Sequence, residues 1–242
     1  MAEDYSVPVL PGEGDTDYAR YMRTAELLGL QRGPEERVHR DEMLFQTVHQ
    51  SSELWLQLAC VEAEETACQI EAGQTPAAEL LLARASLAID LVTGQLQMLR
   101  HLAPWDFQQI RRVLGHGSGF ESPGWRNVRT SSRRLRRAFL GLLADRDVDL
   151  VELYRSCSAF HPLYRLAEAL VEWDARIAAW RTLHYLIATR IIGQEAVGTK
   201  GTPVDALRQL IDHRYFPELW QVRAQLTETG PMGSRYSTGA SR

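Results

Sequence analysis

Cysteine is scarce in the sequence, and the cysteines that occur follow no pattern that would use them. The chain of 242 residues has three, Cys60, Cys68 and Cys157, and none of them forms the CxxC spacing of metal and redox sites. An odd number also does not complete a disulfide framework, which is typical of small secreted proteins. We therefore expect reduced thiols in a cytoplasmic protein.

Long hydrophobic runs are missing too. The chain begins MAEDYSVPVLPGEG, which is acidic and lacks the apolar core of a signal peptide. No apolar run approaches the roughly 18 residues that a membrane-spanning helix needs. We expect no membrane partner.

The chain also lacks a strong excess of one charge. Its formal net charge is −4, with 27 Lys and Arg interspersed among 31 Asp and Glu. This balance gives no electrostatic reason to expect nucleic acid as a partner. The stretch WRNVRTSSRRLRRAF is locally basic. Because most such runs are solvated helix faces, we interpret it as one.

Strict alternation of apolar and polar residues, the signature of half-buried strands, is absent, and helical periodicity dominates. The sequence predicts an all-α fold in which long antiparallel helices form a bundle. We expect an extended segment over 1–15, a single helical domain over 16–227 and a disordered tail over 228–242. Proline and glycine signals place the helices near 17–31, 40–72, 77–102, 104–115, 147–157 and 162–192, with an arginine-rich helix between the fourth and fifth of these and two short helices separated at Pro217 at the end.

Two histidines lie on long predicted helices. His49 shares a face with Phe45 and Ser52, and His184 lies on an apolar stripe with Trp180 and Ile187. A lone histidine on such a face is more often a hydrogen-bonded core residue than a ligand. Here, however, an arginine lies on the inner face of a third helix, and two glycine-rich loops, GHGSGFESPG and GTKGTP, could approach a flat ligand closely.

Helix bundles build cofactor sites from facing side chains of this kind. Haem suits one axial imidazole in an apolar slot. A di-iron centre would need paired Glu-x-x-His motifs, which the chain does not supply at matching positions. The chain also has no Walker, Rossmann, HExxH or GxSxG motif, so the common nucleotide, hydrolase and zinc-protease functions have no support.

Four blocks across most of the chain resemble, in their order, the tryptophan 2,3-dioxygenase superfamily: HRDEMLFQTVHQSSELW, FQQIRRVLGHGSGFES, WRTLHYLIATRIIG and YFPELWQVR. The resemblance implies a helical bundle that encloses a noncovalently bound haem b and uses O2 as co-substrate. It also implies an indole amino acid as substrate and a homo-oligomer, a tetramer or a dimer, as the assembly.

The same resemblance implies roles for single residues. His184 matches the proximal ligand of the haem iron, and Trp180 lies beside it in the same block. His49 matches the distal catalytic histidine that contacts the indole nitrogen, and Phe45 matches a phenylalanine that packs on the substrate ring. Arg111 matches the arginine that clamps the substrate carboxylate.

Further matches concern the rim of the site. Ser118 and Gly119 match the loop at the haem edge, and Thr199, after one inserted residue, matches a threonine at the amino-acid end of the substrate. A last group resembles the N-terminal helix that reaches into a neighbouring subunit's pocket to help bind substrate: Tyr18, Tyr21 and Met22.

The chain also departs from the family pattern. Phe107 stands where a tyrosine is usual, His116 replaces a small residue or proline, GTKGTP lacks the usual lid sequence, and the 121–179 segment is short. The leading hypothesis is 2,3-dioxygenation of L-tryptophan or a substituted tryptophan to an N-formylkynurenine. The alternatives are a mono-oxygenase that forms a 2-oxindole from a tryptophan derivative and a helical haem protein without turnover.

Overall fold

The computed structural model describes residues 5–156, 158–159 and 161–233. Within these ranges the chain is helical, and extended backbone pairs only at an isolated bridge between Val197 and Pro203. The all-α prediction is confirmed. The α-helices are α1 Asp17–Met22, α2 Thr24–Leu28, α3 Glu42–Glu71, α4 Thr75–Leu99, α5 Pro104–Arg111, α6 Pro123–Asp145, α7 Leu150–Ser156, α8 Pro162–Ile192, α9 Asp205–Gln209 and α10 Pro217–Thr229, with short 3-10 turns at Pro34–Glu36 and Gly119–Glu121.

Four long helices, α3, α4, α6 and α8, form the bundle. α3 packs along α4 and α6, and α4 packs along α8. Gly73, with a φ of 73°, lies in the left-handed region that favours glycine and reverses the chain between α3 and α4. Prolines in the first turns of α4, α6 and α8 suit helix starts because those positions need no backbone donor.

The main core lies between these helices. Trp173 on α8 is 0% exposed, and its indole N–H donates to Ser132 Oγ on α6 at 2.9 Å. A second apolar cluster lies around Val48, Leu99, Ile110 and Ile187, with Phe45 and Phe107 packed against it. This second cluster supports the end of the bundle where the cavity described below opens.

A buried carboxylate fixes the segment before α10 to the bundle. Asp174 on α8 is 0% exposed and accepts hydrogen bonds from the backbone N–H groups of Tyr215 and Phe216 and from the indole N–H of Trp220, at 2.9 to 3.2 Å. These donors satisfy a charge that would otherwise be costly to bury. They also hold His213, two residues earlier, beside α8.

Several predicted boundaries differ from the structure. The first predicted helix is two helices, because Arg23 has a φ of 51° and interrupts it. The two short helices predicted on either side of Pro217 are observed as α9 and α10, but α10 continues to Thr229, so the first residues of the predicted tail are helical. Residues 1–4, Cys157, 160 and 234–242 lie outside the described residues. None of the described helices is long and apolar enough to span a membrane.

Candidate functional site

A cavity of about 810 Å³ opens between α3, α5, α6, α8 and the loops that follow α5 and α8. Its volume lies within the ~300–1,000 Å³ that small-molecule sites usually have. Most of the predicted site residues line it, namely Phe45, His49, Phe107, Arg111, Ser118, Gly119, Trp180, His184 and Thr199. Three predicted residues do not line it, and all three are exposed: Tyr18, Tyr21 and Met22.

His49 enters the cavity from α3. Its Nδ1 lies 2.7 Å from the carbonyl oxygen of Phe45, one turn earlier. A carbonyl can only accept, so Nδ1 carries the proton and Nε2 keeps its lone pair. Burial among protein atoms lowers the pKa of His49. The ring is therefore neutral at pH 7 and presents Nε2 as an acceptor.

His184 enters the same cavity from α8. Its imidazole stacks on Trp180, with ring centroids 4.8 Å apart and an angle of 19° between the planes. Burial, reinforced by the nearby His49, lowers the pKa of His184 to about 4. Its nitrogens make no hydrogen bond within the part of the chain that the structure describes. A neutral imidazole with a free lone pair is the form that binds a metal.

Phe45 on α3 and Phe107 on α5 form an aromatic edge of the cavity beside His49. The ring centroids of Phe45 and His49 are 4.1 Å apart, and those of Phe45 and Phe107 are 5.7 Å apart. Tilted rings at these separations attract one another and form an apolar surface. A flat apolar group can pack against this edge while a donor on it reaches His49.

The two glycine-rich loops meet at the rim of the cavity. Thr199 Oγ1 donates to the carbonyl of Gly117, and Lys200 forms an ion pair with Glu121. Arg111, on α5, donates to the carbonyl of Val197. Ser118 caps the turn at Gly119–Glu121 and receives the N–H of Phe120. The loop that carries Thr199 thus lies closed over Arg111 and the turn after Ser118.

Sequence reasoning missed one whole wall of the cavity. Arg126, Arg129 and Arg133 on α6, Arg181 on α8, Trp125 and His213 all line it. The sequence predicts that the basic stretch is a solvated helix face, and Arg126, Arg129 and Arg133 are indeed exposed. What the sequence did not indicate is that the same three residues line the cavity. The available signal was their spacing of three and four residues, which places them on one helix face. In contrast, His116 is exposed in its loop, outside the cavity lining.

These residues fit a haem group. The cavity offers a neutral imidazole without a protein partner at His184, a second imidazole at His49, and apolar walls that include Leu102, Leu114 and Ile187. It also offers cations for the carboxylates that a porphyrin carries. Each of these is a group that haem proteins use to hold the cofactor.

A cavity of this kind within an all-α bundle defines a helical cofactor-binding protein whose facing helices supply the ligands. Comparison with known proteins gives the family. The model of the family described as tryptophan 2,3-dioxygenase matches residues 6–132. Three similar proteins, each named tryptophan 2,3-dioxygenase, extend the match: that of Exiguobacterium sibiricum is 30% identical over 88% of this chain and 93% of its own length, that of Caulobacter vibrioides 30% over 88% and 99%, and that of Shewanella woodyi 28% over 88% and 91%.

The chain belongs to the tryptophan 2,3-dioxygenase family. Members of this family are haem-dependent oxygenases, so the protein is an oxidoreductase.

Proposed function

We propose that the protein binds haem b noncovalently through His184 and oxygenates the indole C2–C3 bond of L-tryptophan or a substituted tryptophan. The observation that carries this proposal is the pairing of two uncharged imidazoles from different helices, His49 and His184, in one cavity with Arg111. The absence of a CxxCH motif supports noncovalent binding.

His184 would hold the haem iron, and the bound haem would supply the chemistry that activates O2. The protein's own residues would do the rest. His49 Nε2 would accept a hydrogen bond from the indole N–H, which raises the electron density at the ring carbons that react. Phe45 and Phe107 pack on the indole and hold it in one plane. Orientation of this kind lowers the barrier by fixing the reacting atoms close together.

Arg111 would bind the substrate carboxylate. Its guanidinium contacts the Val197 carbonyl and could exchange that neutral acceptor for a carboxylate, with which it makes stronger, charge-assisted hydrogen bonds. Thr199, on the same loop, would contact the amino-acid end. Ser118 and Gly119 would border the haem edge. Because the loop is tied to Gly117 and Glu121, it would also exclude water during the reaction.

The proposal includes a homo-oligomer, a tetramer or a dimer, in which Tyr18, Tyr21 and Met22 contribute to a neighbouring subunit's site. Their exposure supports this, since Tyr18 is 67% and Tyr21 75% exposed in the single chain. A cytoplasmic location, which the free thiols of Cys60 and Cys68 support, completes the proposal.

The reaction can be tested by mass analysis of the product. The haem-loaded, reduced protein is given tryptophan and isotopically labelled O2, and we expect one product that carries both labelled atoms. A product with a single labelled atom would instead establish the 2-oxindole mono-oxygenase. If tryptophan and its ring- and side-chain-methylated forms all stay unchanged, a haem protein without turnover remains.

The carboxylate clamp is tested in the same assay. Tryptamine, which lacks the carboxylate, should react at least about tenfold more slowly than tryptophan, because a charge-assisted hydrogen bond contributes about 1.5–3 kcal/mol. Arg111→Ala should remove this preference and leave the haem spectrum unchanged. Equal rates for both substrates in the parent protein would contradict the clamp.

A further inference from the structure

The arginines of α6 divide into two groups. Arg134 forms an ion pair with Glu64 on α3 at 2.6 Å, and Arg136 pairs with Glu218 on α10. These two pairs fasten α6 to its neighbours. A second group lines the cavity and makes no ion pair with any carboxylate in the described ranges: Arg126, Arg129 and Arg133.

A fourth arginine, Arg181, lines the same cavity. Arg181 on α8 is only 9% exposed, yet its guanidinium has no ion-pair partner among the described residues. It donates to two uncharged acceptors, the His213 carbonyl at 2.8 Å and the Tyr215 hydroxyl at 3.0 Å. Burial lowers the pKa of Arg181, since removing a cation from water is costly, and the buried Asp174 on the same helix offsets only part of this effect. An anionic ligand in the cavity would offset that cost.

Two residues near Arg181, Trp180 and His213, also support a ligand at this place. The indole N–H of Trp180 is buried and has no acceptor in the described structure, although the residue lines the cavity. Buried donors nearly always have a partner, which suggests a ligand acceptor here. Burial and the nearby Arg181 also lower the pKa of His213, and Arg129 and Arg133 contribute to this effect. These arginines therefore lie close enough to act on the same place.

Acidic residues on the cavity lining do not balance this charge. Among the described lining residues the one carboxylate is Glu121, and Lys200 already pairs with it. The wall formed by Arg129, Arg133 and Arg181, called the basic wall below, thus has no ion pair with a carboxylate of the described lining; Asp174, behind the lining, is the acidic residue that acts on Arg181. The basic wall is built on α6 and α8, whereas Arg111 belongs to α5.

We propose that the basic wall is a second carboxylate-binding subsite, in which Arg129 and Arg133 bind the two carboxylates of the porphyrin and Arg181 stabilises them from behind. This rests on the proposed function. Arg181 lies three residues before His184 on α8, and both line the cavity with Arg129 and Arg133, so the basic wall would be within the same site as a porphyrin held by His184. Two carboxylates also match the chemistry of the guanidinium groups, which bind them through paired hydrogen bonds.

The test measures how firmly the holoprotein keeps its cofactor. The parent and the double variant Arg129→Gln/Arg133→Gln are each loaded with haem or with its dimethyl ester, which has no free carboxylate. Transfer of the porphyrin to an excess of an apoglobin is then followed by absorbance. We expect the double variant to lose haem at least about tenfold faster than the parent, and the two proteins to lose the dimethyl ester at similar rates.

The matched control is Arg112→Gln/Arg137→Gln, which removes two exposed arginines outside the cavity lining. It should keep the parent's rate for both porphyrins. Equal haem loss from the parent and the Arg129/Arg133 variant would overturn the proposal. Faster loss of both porphyrins would overturn it as well, because the arginines would then support the fold and not the carboxylates.

A free anion is the other source of the same chemistry, and a second arm tests it. Inorganic phosphate is added to the holoprotein, and its binding is measured by calorimetry. Binding to the parent that disappears in the double variant would show that the wall stays open for a free anion, which overturns the assignment to haem. No binding supports it. Failure of the proposed function is a separate result: His184→Ala would then leave the haem spectrum unchanged.

Discussion

At the scale of single residues, the site depends on keeping two imidazoles uncharged. Burial lowers the pKa of both His49 and His184, and the nearby His49 adds to the effect at His184. The hydrogen bond from His49 Nδ1 to Phe45 also selects the tautomer whose Nε2 accepts. A metal ligand and a hydrogen-bond acceptor therefore exist at neutral pH before any substrate or cofactor arrives.

This environment predicts how stability depends on pH in the cofactor-free protein. The pKa of His184 is about 4 in the folded state, and a histidine in the unfolded chain has a pKa of about 6.5. Between these two pH values the unfolded chain binds more protons than the folded protein. The contribution of neutral His184 to the stability of the folded state is therefore complete above pH ~6.5 and is lost as the pH falls toward ~4. Because the ring borders a cavity that water can enter, we expect a loss of about 1–2 kcal/mol.

Urea unfolding of the cofactor-free protein between pH 4.5 and 7 measures this contribution. The free energy of unfolding should fall with decreasing pH more steeply in the parent than in His184→Asn. His116→Asn is the control, since that histidine is exposed in its loop and should leave the slope unchanged. The same slope in the parent and in His184→Asn would contradict the assigned pKa.

At the scale of elements, the contacts at the start of α6 set the position of the cavity wall that α6 forms. Glu53 on α3 accepts the Ser122 hydroxyl and the backbone N–H of Gly124, the latter at 2.8 Å, and so caps the first turn of α6. Trp125 follows immediately and packs against Trp180, with ring centroids 3.8 Å apart and the planes tilted by 36°. Through these contacts α3 sets the position of α6, and α6 supports the residue against which His184 packs.

Close approach of α3 and α6 makes Gly124 sensitive to substitution. A Cβ at this position would lie 2.7 Å from Glu53 Oε2 and 2.7 Å from two atoms of Leu56. Gly124→Ala should therefore destabilise the protein by about 1–3 kcal/mol, as overpacking usually does. Thermal or urea unfolding measures the effect.

The same helix provides the control. Gly141 is exposed, and a Cβ there meets no atom within 4 Å. Gly141→Ala should stabilise the protein by about 0.5–1 kcal/mol, because alanine favours the helix. An equal change in the free energy of unfolding for both variants would contradict the tight packing described at Gly124.

At the scale of the whole molecule, apolar surface is concentrated near the N-terminus. Much of it is exposed in the single chain, in particular at Tyr5, Val9, Tyr18, Tyr21, Met22, Leu28 and Leu30. Residues of α1 and α2 contribute nothing to the buried core, since neither helix has a buried residue. Exposed apolar side chains in such number often mark a protein–protein interface.

We expect this surface to be covered in the assembled enzyme. Tyr18→Ser/Tyr21→Ser should shift the protein toward smaller species at equal concentration and lower its activity with tryptophan, because the substituted side chains bury less apolar area. Size-exclusion chromatography with light scattering measures the first effect. Tyr18→Phe/Tyr21→Phe keeps the rings and should behave as the parent does; a monomeric parent would contradict the expected assembly.

The sequence alone predicted the helices and the residues of the site that lie within one block. Helix α8 was expected over 162–192 and is observed as Pro162–Ile192, because proline and glycine act locally on the backbone. The pairing of Phe45 with His49 likewise follows from their spacing of four residues on one helix.

Only the tertiary structure decided which helix face meets which neighbour. The basic stretch looks uniform in sequence, yet Arg134 and Arg136 pair with Glu64 and Glu218, while Arg129 and Arg133 face the cavity. His213 reaches the cavity because Asp174, 41 residues before Tyr215 in the chain, holds the segment beside α8. Periodicity along one helix specifies a face but carries no information about distant partners. The balance of charge inside the cavity therefore emerges only when the four long helices pack together.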